Sequence, residues 1–114
     1  MGYDLEERTF IFAKEVRKKI KLLPRNLTNQ EDVKQLIRSS GSVGANYIEA
    51  NEALSKKDFL MRMKISRKEA KETIYWLRLL KETNETTLRN SFQVLIEEAV
   101  ELKKILSSII EKSK

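Results

Sequence analysis

Apolar residues recur at alternating four- and three-residue steps along almost the whole chain, and that spacing leaves few folds open. On a helix such steps keep one stripe facing a neighbour over many turns, whereas a strand requires alternation at every second residue. Two runs are unbroken: Phe59, Met63, Ser66, Ala70, Thr73, Leu77 and Leu80, then Leu88, Phe92, Leu95, Ala99, Leu102, Leu106 and Ile109. Upstream, Val33, Leu36, Ser40, Val43, Tyr47, Ala50 and Leu54 repeat the spacing. A shorter first run holds Ala13, Val16, Ile20 and Leu23, with Phe10 and Phe12 beside it.

The breaks between runs are chemically distinct. Pro24 ends a first helix predicted over residues 5–23, because proline lacks the amide a helix interior needs. Thr28-Asn29-Gln30-Glu31 has the form of a capping box and predicts a second helix over residues 28–54. Ser55-Lys56-Lys57-Asp58 caps the third, and the polar stretch 83–87 separates it from the fourth. With 3 Gly and 1 Pro in 114 residues, the chain is expected to be one domain, 1–114. Short connections favour antiparallel neighbours, so the predicted class is all-α, an antiparallel up-down-up-down four-helix bundle.

Cys and His are both absent, which removes disulfides, thiol nucleophiles, imidazole bases and most transition-metal sites. No cofactor, no metal and no catalysis are expected. No apolar run approaches the roughly 18 residues of a membrane span. Asp4, Glu6 and Glu7 stand where a signal peptide would be basic, so no membrane association and a cytoplasmic location are expected.

The net charge of +6 has an address. Residues 55–81 hold 9 basic and 3 acidic side chains, while the segments on either side nearly balance. Lys57, Lys64, Lys71 and Arg78 recur every seven residues on the third helix, and Arg67 and Lys68 lie beside them. Seven residues rise about 10.5 Å, so the row extends over roughly 32 Å. A row of that kind suits a nucleic-acid backbone. The bland alternative is a solvated face, or partners for the acidic fourth helix across a subunit boundary. Tyr75 falls within the row and could stack a base.

Other side chains lie off the seams. Glu69 and Glu72 are flanked by apolar surface, and Arg38, Ser42, Asn46 and Glu49 on the second helix are candidate partners in a structural polar network. Arg38 and Glu49 are about 16 Å apart along one helix and each needs a partner elsewhere. A sharper alternative makes Glu49, Glu69 and Glu72 a hard-cation or acid–base site. Ile65, Trp76 and Leu79, with Leu60, Met61 and Ile74, exceed what one core is expected to hold and predict an oligomer interface. Gly41 and Gly44 each cost a helix roughly 1 kcal/mol relative to alanine. The flat face they make with Ile37 and Ile48 predicts a close helix approach. A phosphate cradle is excluded, because the Gly-Lys-Ser/Thr ending is missing.

Gln35-Leu36-Ile37-Arg38-Ser39-Ser40, Ser42-Val43-Gly44-Ala45-Asn46, Glu49-Ala50, Ser55-Lys56-Lys57-Asp58-Phe59 and Lys68-Glu69-Ala70-Lys71-Glu72-Thr73 with Trp76-Leu77 resemble a bacterial four-helix-bundle family. Its founding members are encoded in intervening sequences of 23S rRNA genes. The resemblance implies a left-handed antiparallel bundle, often a ring of five copies, with no known catalytic activity. The accessory protein of diversity-generating retroelements, a basic pentameric bundle that works with a reverse transcriptase and nucleic acid, is a more distant likeness. Ile65-Ser66-Arg67 departs from the apolar Ile-Ala pair of many relatives, adds charge and predicts a less buried surface there. Together these readings predict a homo-oligomeric scaffold, pentameric as the resemblance implies, that binds RNA, DNA or a nucleic-acid enzyme such as a reverse transcriptase through the third helix. A purely structural protein–protein module is the alternative.

Overall fold

The computed structural model describes residues 4–114, so residues 1–3 of the expected domain lie outside the described residues. Four helices follow one another: α1 (Leu5–Ile20), α2 (Leu27–Asn51), α3 (Lys56–Thr83) and α4 (Arg89–Lys112). A 3-10 turn at Thr86–Leu88 leads into α4, and there is no strand among the described residues.

Local chemistry sets the boundaries. Asp4 caps α1 by accepting from the Glu6 amide at 2.9 Å, and Ser55 caps α3 by accepting from the Asp58 amide at 3.1 Å. The cap of α2 differs from expectation. Asn26, not Thr28, accepts from the Asn29 amide at 2.9 Å, and the Thr28 hydroxyl donates to the Asn26 side chain instead. Asn is at least as good a cap as Thr, so the earlier residue wins and the helix starts at Leu27. α1 stops at Ile20, short of the expected 23, because Pro24 disfavours helical geometry in the residue before it. The amides of Leu22 and Leu23 close the last turn on Lys19 and Ile20. α2 ends at Asn51, leaving Leu54 98% exposed in the connection to α3.

Consecutive helices meet in opposite senses. Going up α1, Glu6 accepts from Asn51, Thr9 lies on Gly44 and Arg17 donates to the Ile37 carbonyl. Going up α3, Arg62 donates to Asn46, Ser66 to the Val43 carbonyl and Thr73 to Ser39. Lys81 of α3 donates to Gln93 near the start of α4. The result is an elongated body of 45 × 27 × 19 Å.

Two apolar clusters fill it. The larger joins Phe12, Val16, Leu36, Leu77, Leu80, Phe92, Leu95, Ile96, Ala99 and Leu102. The smaller joins Val43, Ala50, Met63, Ala70, Leu106 and Ile110, and Leu5 touches both. Each fully buried Leu or Phe contributes about 1.5–3 kcal/mol relative to exposure. The seam between α2 and α3 is different, being lined with small hydroxyl residues. Ser66 Oγ reaches the Val43 carbonyl at 2.7 Å, and Thr73 Oγ1 lies 2.9 Å from Ser39 Oγ and 2.8 Å from the Glu69 carbonyl. Ser66 is fully buried, contrary to the expectation of a looser surface there, because its hydroxyl is satisfied by α2.

Apolar spacing alone does not describe the start of α1. Its buried positions are Thr9, Phe12 and Val16, while Phe10 is 61% exposed. Thr9 broke the apolar pattern, yet its hydroxyl donates to the Glu6 carbonyl at 2.9 Å and so enters the interior without a lost hydrogen bond. At one end of the bundle Asn29 and Asn84 exchange side-chain amide hydrogen bonds, both 2.9 Å. Asn29 also donates to the Pro24 carbonyl and Asn84 to the Leu80 carbonyl, tying the α1–α2 loop to the end of α3.

Candidate nucleic-acid interface

Seven-residue spacing puts Lys57, Lys64, Lys71 and Arg78 on one side of α3, and all four are exposed, as is Lys68; Arg67 is half-buried. None of these six cations makes an ion pair among the described residues. Some cations elsewhere do pair, Arg8 with Glu98 at 2.7 Å, Lys19 with Glu15 at 3.3 Å and Arg89 with Glu82 at 3.3 Å, while others, such as Lys14, Lys21 and Lys56, are unpaired like the row. Within the described residues no ion pair joins the row to α4.

The middle of the row is concave. Lys64, Arg67, Lys68 and Lys71 line a cleft of about 400 Å³ whose other wall is Lys103 and Ser107 of α4. Sequence reasoning missed these two, because residues 82–114 hold 5 basic and 6 acidic side chains and one lysine disappears in that sum. Glu111 marks the edge of the positive field. Its carboxyl is held below the ordinary glutamate value first by the hydrogen bond from Lys114, 2.9 Å away, then by that charge, and further by Arg67 and Lys64. Five cations and a hydroxyl in one depression suit a phosphate group; they offer no base for proton transfer.

The expected polar network resolves into two pieces. Arg38 forks between Glu69, at 3.1 Å, and Glu72, so its partners come from α3 of the same chain. Separately, Asn46 donates to the Ser42 hydroxyl and carbonyl and accepts from Arg62 at 3.2 Å. Glu49 belongs to neither: it is exposed and its carboxylate has no partner among the described residues. It lies three turns along α2 from Arg38, as the helical rise requires. The three glutamates thus do not converge, and no cluster of three acidic ligands occurs among the described residues.

The apolar surplus of α3 is divided between core and surface, and Met61 is 49% exposed. Ile65, Trp76 and Leu79 are half-buried within the single chain, and Leu60, Ile74 and Trp76 pack against the two core clusters. The apolar stripe of a core-facing helix is wider than a two-position seam, so flanking positions are absorbed too. Trp76 Nε1 is buried without an acceptor among the described residues. Phe10 and Ile48 are also exposed, 61% and 45%.

A profile of the 23S rRNA-intervening sequence proteins matches residues 3–108. The chain belongs to that family. The match spans all four helices except the last residues of α4, and so includes the whole cationic row. A solved relative, a protein of unknown function from the S23 ribosomal protein family of Bacteroides thetaiotaomicron VPI-5482, is 35% identical. The likeness covers 94% of this chain and 98% of that one, with a TM-score of 0.80. A search of curated proteins finds no match.

In this family member the close helix approach expected at the two glycines of α2 occurs at Gly44 and not at Gly41. A Cβ on Gly44 would sit 2.7 Å from Thr9 Oγ1, so α1 lies directly on the α2 backbone there. One on Gly41 would meet only the mobile end of Arg17, at 3.2 Å. Beside this contact runs an apolar groove of about 450 Å³, floored by Gly41, Gly44 and Ala45 and rimmed by Phe10, Ala13 and Ile48. No helix among the described residues is long and apolar enough to cross a membrane.

Proposed function

We propose that this intervening-sequence protein is a non-catalytic, cytoplasmic scaffold that binds RNA or DNA through the cationic face of α3, as a homo-oligomer of the kind its family resemblance implies. The carrying observation is that Lys57, Lys64, Arg67, Lys68, Lys71 and Arg78 lack intramolecular ion pairs while Lys103 turns their midpoint into a cleft. Cations left unneutralised and aligned release counterions when phosphates replace them, and that release drives binding. The contacts would be to backbone phosphate and carry no base code.

Two measurements test the reading. Affinity for a mixed-sequence RNA or DNA should fall by roughly 10³ or more between about 50 and 200 mM salt when six or more phosphates are contacted. Indifference to salt would overturn it. The variant Lys57→Glu, Lys64→Glu, Lys71→Glu, Arg78→Glu should lose binding while keeping its helical content and its oligomeric state. If binding survives that reversal, the cationic face of α3 is not the binding surface; if the wild type binds neither RNA nor DNA, the alternative of a purely structural assembly module takes its place.

A further inference from the structure

We infer that the ridge takes its nucleic acid as a single strand, with Tyr75 as a platform on which an unpaired base stacks. This rests on the nucleic-acid reading above and sharpens it to a ligand class. Tyr75 is 55% exposed, a large ring left in solvent on a helix whose other outward side chains are mostly charged. On a helix, residues three and four apart are neighbours, which puts Lys71 on one side of the ring and Arg78 on the other, with Lys68 one further turn away. All three cations are exposed and unpaired among the described residues, so the ring sits inside the phosphate-binding row and not at its margin.

The ring is also positioned. Tyr75 and Trp76 make a T-shaped contact with centroids 5.1 Å apart and planes at 79°. Trp76 is in turn packed against the larger core cluster. An edge-to-face pair leaves at least one face of Tyr75 uncovered while restricting its rotamers, so less freedom is lost when a base lands on it.

Duplex geometry does not fit this arrangement. Bases inside a helix are stacked on one another and show a protein only their edges, whereas unpaired bases offer a face to an aromatic side chain. From Tyr75 the centre of the cleft, near Lys68, is about 10 Å along the axis. A strand whose base stacks on Tyr75 can therefore lay neighbouring phosphates against Lys71 and into the Lys64–Arg67–Lys103 depression. Any base has a stackable face, so little sequence preference follows.

The test uses the full chain, an unpaired thymidine oligomer of about 12 nucleotides and a duplex of the same length, the span of one ordinary single-strand site. Wild type should bind the single strand more tightly than the duplex. Tyr75→Ala should weaken single-strand binding by about 5- to 150-fold, the scale of one lost base stack, with duplex affinity and salt slope unchanged. Tyr75→Phe should restore it. Emission from Trp76, the chain's one tryptophan, should shift on adding single strand and not on adding duplex. Equal affinity for the two forms, or an unchanged Tyr75→Ala, overturns this inference and leaves the phosphate-binding face standing. Absence of salt-sensitive binding to either form removes both.

Discussion

Two depressions lie at the same height of the bundle and have opposite chemistry. Hydrogen bonds from Arg62, Ser66 and Thr73 to Asn46, Val43 and Ser39 put residues 62–73 of α3 level with residues 39–46 of α2. At that level α1 and α2 enclose the apolar groove around Gly44, and α3 and α4 enclose the cationic cleft. The groove has a structural cause. Glycine is there because Thr9 is there, and the exposed carbon surface is what close packing of small residues leaves behind. The cleft has none. Lys64 with Lys68, and Arg67 with Lys71, are like charges at four-residue spacing, which costs a helix some tenths of a kcal/mol per pair. A feature that lowers stability without a packing return is the better candidate for selection by a ligand.

That contrast can be broken by experiment. The largest separation should come from affinity: reversing Lys64 and Lys71 to Glu should reduce polyanion binding by roughly 10² or more at low salt, while Phe10→Ser in the groove leaves it within about twofold, read by fluorescence anisotropy. Equal losses would mean that the groove is part of the nucleic-acid surface. Stability should divide the other way. Gly44→Ala forces a Cβ into Thr9 and should cost about 1–3 kcal/mol in urea unfolding. Gly41→Ala meets only the end of Arg17 and should cost nothing, or gain up to about 1 kcal/mol of helix propensity.

A smaller effect has the opposite sign to most substitutions. Lys68→Gln relieves repulsion with Lys64 and Lys71 and should raise unfolding free energy by about 0.2–0.5 kcal/mol per pair while weakening binding. The finest test is the Glu111 carboxyl. Its value is lowered by Lys114 first and by Arg67 and Lys64 after it, so its stabilising contribution is present above the ordinary glutamate range and fades as pH falls through the lowered value. An NMR titration should show its midpoint rising in Arg67→Gln, and rising in wild type when a polyanion fills the cleft.

Periodicity made α3 legible almost to the residue: Met63, Ser66, Ala70, Thr73, Leu77 and Leu80 are all buried. It failed only at the start of α1, where Thr9 is buried and Phe10 beside it faces water, while Phe12 and Val16 are buried. Pattern reading weighs side chains by apolarity, and Thr9 enters the interior on a hydrogen bond instead. Arg38 with Glu69 and Glu72 could be anticipated because a guanidinium flanked by seam residues must find carboxylates nearby. Glu49 could not be excluded by the same logic, since only the position of a neighbouring helix shows which glutamates face inward. The row on α3 was visible as a heptad position. Its second wall was not, because Lys103 and Ser107 are brought to it by the turn between helices, and no local spacing encodes that.

The reciprocal Asn29–Asn84 amide pair has a practical corollary. It yokes two chain reversals at one extremity, so lengthening either would strain the other, and residues 24–29 and 84–88 are poor places to splice in foreign sequence. The opposite extremity is freer: at residues 52–55 the connection between α2 and α3 projects Leu54 into solvent, and a reporter grafted there would ride on the bundle without loosening it.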